Sequence, residues 1–154
     1  MRNVFIAVFI AAAVPAAAHA SLYINEIAWM GSTDNANAEW VEFYNTGIAA
    51  VDLSGWTLIA SDGTPSITLS GSVGAGGFFL LERTSDTTVP SVTADQIYSG
   101  ALGNGGETLT LQNSSGGTVD TVVGGTDWVN IGGDNTTKQT AQRTTGGWTT
   151  AIGT

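Results

Sequence analysis

Leucine alternates with threonine in Thr108-Leu109-Thr110-Leu111, and a two-residue period of this kind recurs along the chain. That period puts one set of side chains on each face of an extended strand. No segment after residue 20 keeps a helical spacing of apolar residues over ten positions or more. The apolar runs are short, and Gly, Asn, Asp and Ser interrupt them about every ten residues, as in an all-β sandwich or barrel.

The expected strands are Leu22–Trp29, Glu39–Asn45, Gly55–Ala60, Ser66–Gly71, Gly77–Arg83, Gln96–Gly100, Glu107–Asn113 and Gly117–Val123. Gly77–Arg83 (GFFLLER) is apolar on both faces and should be central. Glu107–Asn113 and Gly117–Val123 should pair across Ser114-Ser115-Gly116-Gly117, with Leu109 and Leu111 inward. Lys138–Arg143 is expected to close an edge, and Gly124–Thr137 to be an ordered loop pinned by Trp128.

The first 20 residues have a different character. Arg2, the apolar run Val4–Val14 and the small-residue sequence Ala18-His19-Ala20 form a secretory leader, with cleavage expected before Ser21. The apolar run is shorter than the roughly 20 residues that a spanning helix needs. Removing the leader leaves 134 of 154 residues, enough for one domain (21–154) with a real core. Loss of Arg2 takes the formal charge from −9 to −10, and Arg83, Lys138 and Arg143 remain as the basic side chains. Such a charge repels nucleic-acid backbones and anionic lipid heads. The chain ends at Trp148-Thr149-Thr150-Ala151-Ile152-Gly153-Thr154, and further domains could follow it.

The chain has no cysteine, and its one histidine, His19, lies in the leader. Nucleophile systems built on Cys or His, and ordinary zinc sites, therefore lack their residues. A metal would need oxygen ligands, as calcium does. Asp34, Asn35, Asn37 and Glu39 form a loose pattern of this kind without EF-hand spacing, and Gly132–Thr137 (GGDNTT) is a weaker one. The expectation is nevertheless that no cofactor is required.

Glu39 and Glu42 flank Trp40 and Val41, where alternation puts Glu39, Val41 and Phe43 on one face and Trp40, Glu42 and Tyr44 on the other. An acid/base pair is not expected from them. Glu39 should meet solvent at the strand entrance, and Glu42 should be a solvated surface residue. Trp29, Trp128 and Trp148 lie in or beside loops, where they either seal the ends of the sandwich or line a sugar-binding face. Asn113 and Asn135 match the glycosylation pattern.

Several motifs occur in order: Ile24-Asn25-Glu26; Glu39-Trp40-Val41-Glu42-Phe43-Tyr44-Asn45; Asp52-Leu53-Ser54-Gly55-Trp56-Thr57-Leu58; Gly74–Arg83; Gly106-Glu107-Thr108-Leu109-Thr110-Leu111; then Trp128 and Ala141-Gln142-Arg143. In this the chain resembles the exported bacterial members of the lamin tail domain family, from about residue 24 to about residue 150. The resemblance implies an immunoglobulin-like β-sandwich with structural roles for Asn25, Glu26, Glu39, Trp40, Asn45, Leu53, Gly55, Trp56, Gly106, Leu109, Leu111 and Arg143. Arg143 is expected either as a solvated surface residue or paired with a carboxylate such as Glu26 or Glu39.

The resemblance also implies an accessory module, because such domains often sit beside hydrolase or nuclease domains. The nuclear and chromatin partners of lamins are not expected here. The leading expectation is an exported, non-catalytic module for adhesion, targeting or assembly, secreted or at the envelope, with a protein or glycan partner. A carboxylate-based, divalent-metal-dependent hydrolase is the alternative. Self-association through unguarded strand edges is a third reading, since one lysine is available to guard them.

Overall fold

The computed structural model describes residues 22–152. The leader expected over residues 1–20 lies outside them. The described chain is all-β: β1 (Leu22–Ala28), β2 (Trp40–Asn45), β3 (Val51–Asp52), β4 (Thr57–Ala60), β5 (Ser66–Thr68), β6 (Ser72–Val73), β7 (Phe78–Arg83), β8 (Gln96–Tyr98), β9 (Thr108–Gln112), β10 (Thr118–Val123), β11 (Ala141–Thr144) and β12 (Gly147–Thr150), with one 3-10 turn at Thr126–Trp128. No helix among the described residues is long and apolar enough to cross a membrane.

The strands form an immunoglobulin-like sandwich. One sheet has the order β12-β11-β1-β2-β7-β8, the other β10-β9-β4-β5, and β3 pairs with β6 as a small separate ribbon. β8 runs parallel to β7, and the other named pairs are antiparallel. The expected alternation is visible in β2, where Val41 and Phe43 are fully buried while Trp40, Glu42 and Tyr44 are half-buried on the outer face. Leu58, Leu109 and Leu111 come from the facing sheet into the same core as Ile24, Val41 and Leu81.

The end strands differ from expectation. β11 is not an edge, because β12 pairs with it along Ala141–Thr144 and takes the outer position. The sequence signal for β12 is poor because Gly146-Gly147 precedes a single tryptophan. β3 and β6, two residues each, are too short to leave a periodic trace.

Turn chemistry follows the motif residues. Asp52 Oδ1 accepts from the Ser54 N–H and hydroxyl, and Gly55 follows at φ 75°. Asn45 is fully buried yet satisfied: its amide donates to the carbonyls of Ala49, Val73 and Gly74, and its oxygen accepts from the Gly47 N–H. It therefore ties the end of β2 to β6 through polar groups that would otherwise be left unpaired. Gly106 has φ 91°, and a Cβ there would sit 1.6 Å from the Gly125 carbonyl oxygen, so only glycine fits that approach. Asn113 Oδ1 is engaged by Ser115 and Gly117 in the β9–β10 hairpin turn.

Candidate functional site

The carboxylates are arranged by the ends of the strands that hold them. Glu39 precedes β2 and is 4% exposed, so it is buried rather than at a wet strand entrance. Its Oε1 accepts from Arg83 Nη1 at 2.8 Å and its Oε2 from the Leu102 N–H at 2.7 Å. Burial raises its pKa against the opposing pull of the Leu102 N–H and Arg83. Glu82, on the outer face of β7, is fully buried under the segment that follows, where it accepts from the Thr88 and Val89 N–H groups.

Glu42 is half-buried rather than freely solvated, and Asn25 Nδ2 donates to it at 2.7 Å. Burial pushes its pKa up, the Asn25 bond lowers it, and the nearby Glu26 charge raises it.

Arg143 pairs with neither Glu26 nor Glu39. Its Nη2 lies 3.0 Å from Asp120 Oδ2, and the same oxygen accepts from the Ile24 N–H at 2.8 Å. β1 and β10 meet at this corner, where register shifts fall between Ile24 and Glu26 and between Thr118 and Asp120. Asp120 thus joins the two sheets, a contact that one-dimensional spacing does not announce.

The four oxygen-bearing residues considered for calcium do not converge. Glu39 commits both oxygens inward, while Asp34, Asn35 and Asn37 are exposed. That loop closes on itself through Ser32 and Asn35. In the second loop Asp134 accepts from the Thr136 and Thr137 N–H groups, which lower its pKa. Among the described residues no group of three or more His, Cys, Asp or Glu side chains could hold a metal ion.

A third buried acid was not singled out from the sequence. Glu107 is 7% exposed; its Oε1 accepts from the Gly103 N–H, while its Oε2 is buried with no hydrogen-bond partner. Burial pushes its pKa up to about 7 against the Gly103 bond, and the charges of Asp62 and Glu39 push the same way as burial. The Tyr98 hydroxyl is also buried without a partner, and its pKa is raised by burial first and then by Glu39. Trp128 seals this end: its indole N–H donates to the Gly103 carbonyl at 2.8 Å and its ring stacks on Trp29 at 5.9 Å. Trp29 and Trp128 are thus core residues that close the sandwich.

Trp148 is half-buried and belongs to an outer-face strip. The Arg143 guanidinium lies 5.0 Å from both the Trp148 and Tyr23 rings, Tyr44 meets Tyr23 edge-on, and Tyr44 stacks on Phe78 at 4.6 Å. These rings spend much of their faces on one another and on the cation.

A groove of about 430 Å³ opens on the outer face of the six-stranded sheet. Two motif residues on neighbouring strands, Glu26 and Trp40, line it together with Val89, Pro90, Lys138 and Thr140. Glu82 fixes the Val89 wall through the bonds already described. Glu26 accepts from the Thr140 hydroxyl and from Gln142. Lys138 sits at φ 60°, a left-handed conformation costing about 1 kcal/mol or more for a residue with a side chain. Its ammonium donates to the Met30 carbonyl at 3.1 Å and to Asn135. An indole, an acid, a cation and hydroxyls in one concavity can take a ligand with both an apolar face and polar groups.

The Lamin Tail Domain family model matches residues 15–126, more than half of the chain. The match ends before β11 and β12. No curated protein matches the chain.

Proposed function

The chain belongs to the lamin tail domain family, and from that premise we propose that it is an exported, non-catalytic module that binds a partner through the Glu26–Trp40 groove. The observation behind this reading is where those two motif residues point. Glu26 and Trp40 line an open concavity on the outer face, and the half-buried Trp40 ring also packs against the core. The leader directs the module out of the cell, and the charge of −10 disfavours nucleic acid and anionic lipid as partners. An accessory role beside other domains fits a binding surface of this size.

The ligand class is a sugar unit or a short peptide segment of an extracellular polymer. The Trp40 ring offers a stacking surface, while Glu26, Lys138 and Thr140 offer polar contacts.

A panel of soluble oligosaccharides and short peptides, screened by saturation-transfer NMR with Trp fluorescence as a second readout, tests the reading. Binding is expected to weaken at least tenfold in Trp40→Ala and in Lys138→Gly. Lys138→Gly relieves the left-handed strain while losing the ammonium bonds to Met30 and Asn135, so its thermal midpoint should change little. The reading is lost if no member of the panel binds below about 1 mM, roughly 4 kcal/mol of binding free energy. It is also lost if both substitutions leave binding unchanged. Metal-dependent turnover in the same samples, abolished by Glu26→Gln, would instead favour a hydrolase.

A further inference from the structure

We propose that the gap between β5 and β8 is a strand-docking site for an extended, uncharged peptide segment of a partner protein, held closed by the Gln96 side chain. β5 is an edge of the four-stranded sheet and β8 is an edge of the six-stranded one. A groove of about 500 Å³ lies between them, and its lining carries no charged residue.

The hydrogen-bond phase shows which peptide groups face the gap. The Ala60 N–H donates to Pro65 O and the Leu69 N–H to Trp56 O, which fixes the bonded positions of the β4–β5 ladder. By alternation Ser66, Thr68 and Ser70 turn their peptide groups away from β4. On β8 the Tyr98 carbonyl accepts from the Thr84 N–H, so Tyr98 faces β7 and the peptide groups of Ile97 face out.

Gln96 fills part of that edge as a strand would. Its Nε2 donates to Thr68 O at 2.9 Å and its Oε1 accepts from the Ser70 N–H at 3.0 Å. Donation to the carbonyl of one residue, with acceptance from the N–H two residues on, is the pattern one residue of a parallel neighbour makes. The next rung along β5 would use Ser66 O and the Thr68 N–H. A docked segment would add these rungs and displace the carboxamide, in the manner of β-augmentation.

The chemistry of the occupant follows from the walls. Ile97 is exposed in the lining beside Ser66, Thr68 and Ser99, while Ile67 and Tyr98 belong to the core, which suits an occupant with apolar and small polar side chains. The strongly acidic chain disfavours an acidic segment.

The test uses the soluble chain and an end-blocked eight-residue peptide alternating Ser and Val, with amide exchange followed residue by residue by NMR. Saturating probe is expected to slow exchange at Thr68 and Ile97 at least tenfold. Gln96→Ala removes the competing carboxamide and should tighten binding about tenfold or more. Thr68→Pro deletes an N–H that faces the gap while sparing the β4–β5 ladder, so it should abolish binding with little change in thermal midpoint. Unchanged exchange at those amides in the wild-type chain, up to millimolar probe, overturns the proposal whether or not the variants fold. If Gln96→Ala dimerises and protects the same amides without probe, the gap belongs to a second copy and the partner assignment fails.

Discussion

Arg83→Met is expected to destabilise the domain by about 3–5 kcal/mol at pH 8, because it strips the counter-charge from a carboxylate that cannot reach water. Glu39 keeps the Leu102 N–H as a hydrogen-bond donor but loses the guanidinium 2.8 Å away. Burial already raises its pKa with Arg83 in place, so without Arg83 it takes up a proton more readily. The sign follows from that. A carboxyl whose folded pKa lies above its unfolded value favours the fold at low pH, and this contribution is lost as pH rises through the folded value.

The penalty of Arg83→Met should therefore shrink toward pH 4 and grow toward pH 8. The double variant Glu39→Leu/Arg83→Met should recover much of the loss, since a buried pair replaced by apolar side chains is often neutral. Urea denaturation at both pH values for the single and double variants checks this. A loss below 1 kcal/mol that does not vary with pH would mean that water reaches Glu39 after all.

The Glu39–Arg83 pair shows what the sequence can and cannot reveal. Alternation placed Val41 and Phe43 inward and Trp40, Glu42 and Tyr44 outward, because side-chain direction is a local property of an extended backbone. Glu39 shares the inward face by the same count, but a charge at a strand entrance reads as solvated until its partner is known. That partner is 44 residues away at the end of GFFLLER, and only the β2–β7 register brings the two together. The available hint was scarcity: only three basic side chains follow residue 20, and the two arginines among them are both committed to acids.

Arg143 is paired, but with neither Glu26 nor Glu39. Its partner, Asp120, sits beside a register shift of β10, and a bulge leaves no composition signal. Turns were more legible. Gly55 and Gly106 both adopt positive φ, and Asp52 and Asn45 both cap backbone N–H groups, because these roles depend on a few adjacent residues. The groove was legible only in pieces. Glu26 and Trp40 stood in recognisable motifs, but Lys138 and the Val89–Pro90 wall join them through loops whose path no periodicity sets.

Glu107→Gln is expected to stabilise the domain by roughly 2–3 kcal/mol at pH 8 and to change it little at pH 4, each pKa unit being about 1.4 kcal/mol. Glu107 lies beneath the loop between β8 and β9, with one oxygen held by the Gly103 N–H and the other buried without a partner. Burial is the largest cause of its rise from 4.5 to about 7, and the negative charges of Asp62 and Glu39 add to it. The folded chain therefore binds this proton more tightly than the unfolded chain does. Below about pH 4.5 the group is protonated in both states and the fold has its full benefit. Between about 4.5 and 7 the unfolded chain ionises first, and stability falls as pH rises. Above about 7 the loss is complete and the curve flattens. Glutamine keeps an oxygen for the Gly103 N–H and cannot ionise, so its stability curve should lack this descending limb. Glu39 and Glu42 shift in the same direction and are present in wild type and variant, so the difference between the two curves reports Glu107 together with its coupling to Glu39. Denaturation midpoints measured in half-unit steps from pH 4 to pH 8 give that difference. Parallel curves would show that the Glu107 carboxylate is solvated in the fold and that the 99–107 loop opens more readily than its contacts with Glu39, Glu107 and Trp128 suggest.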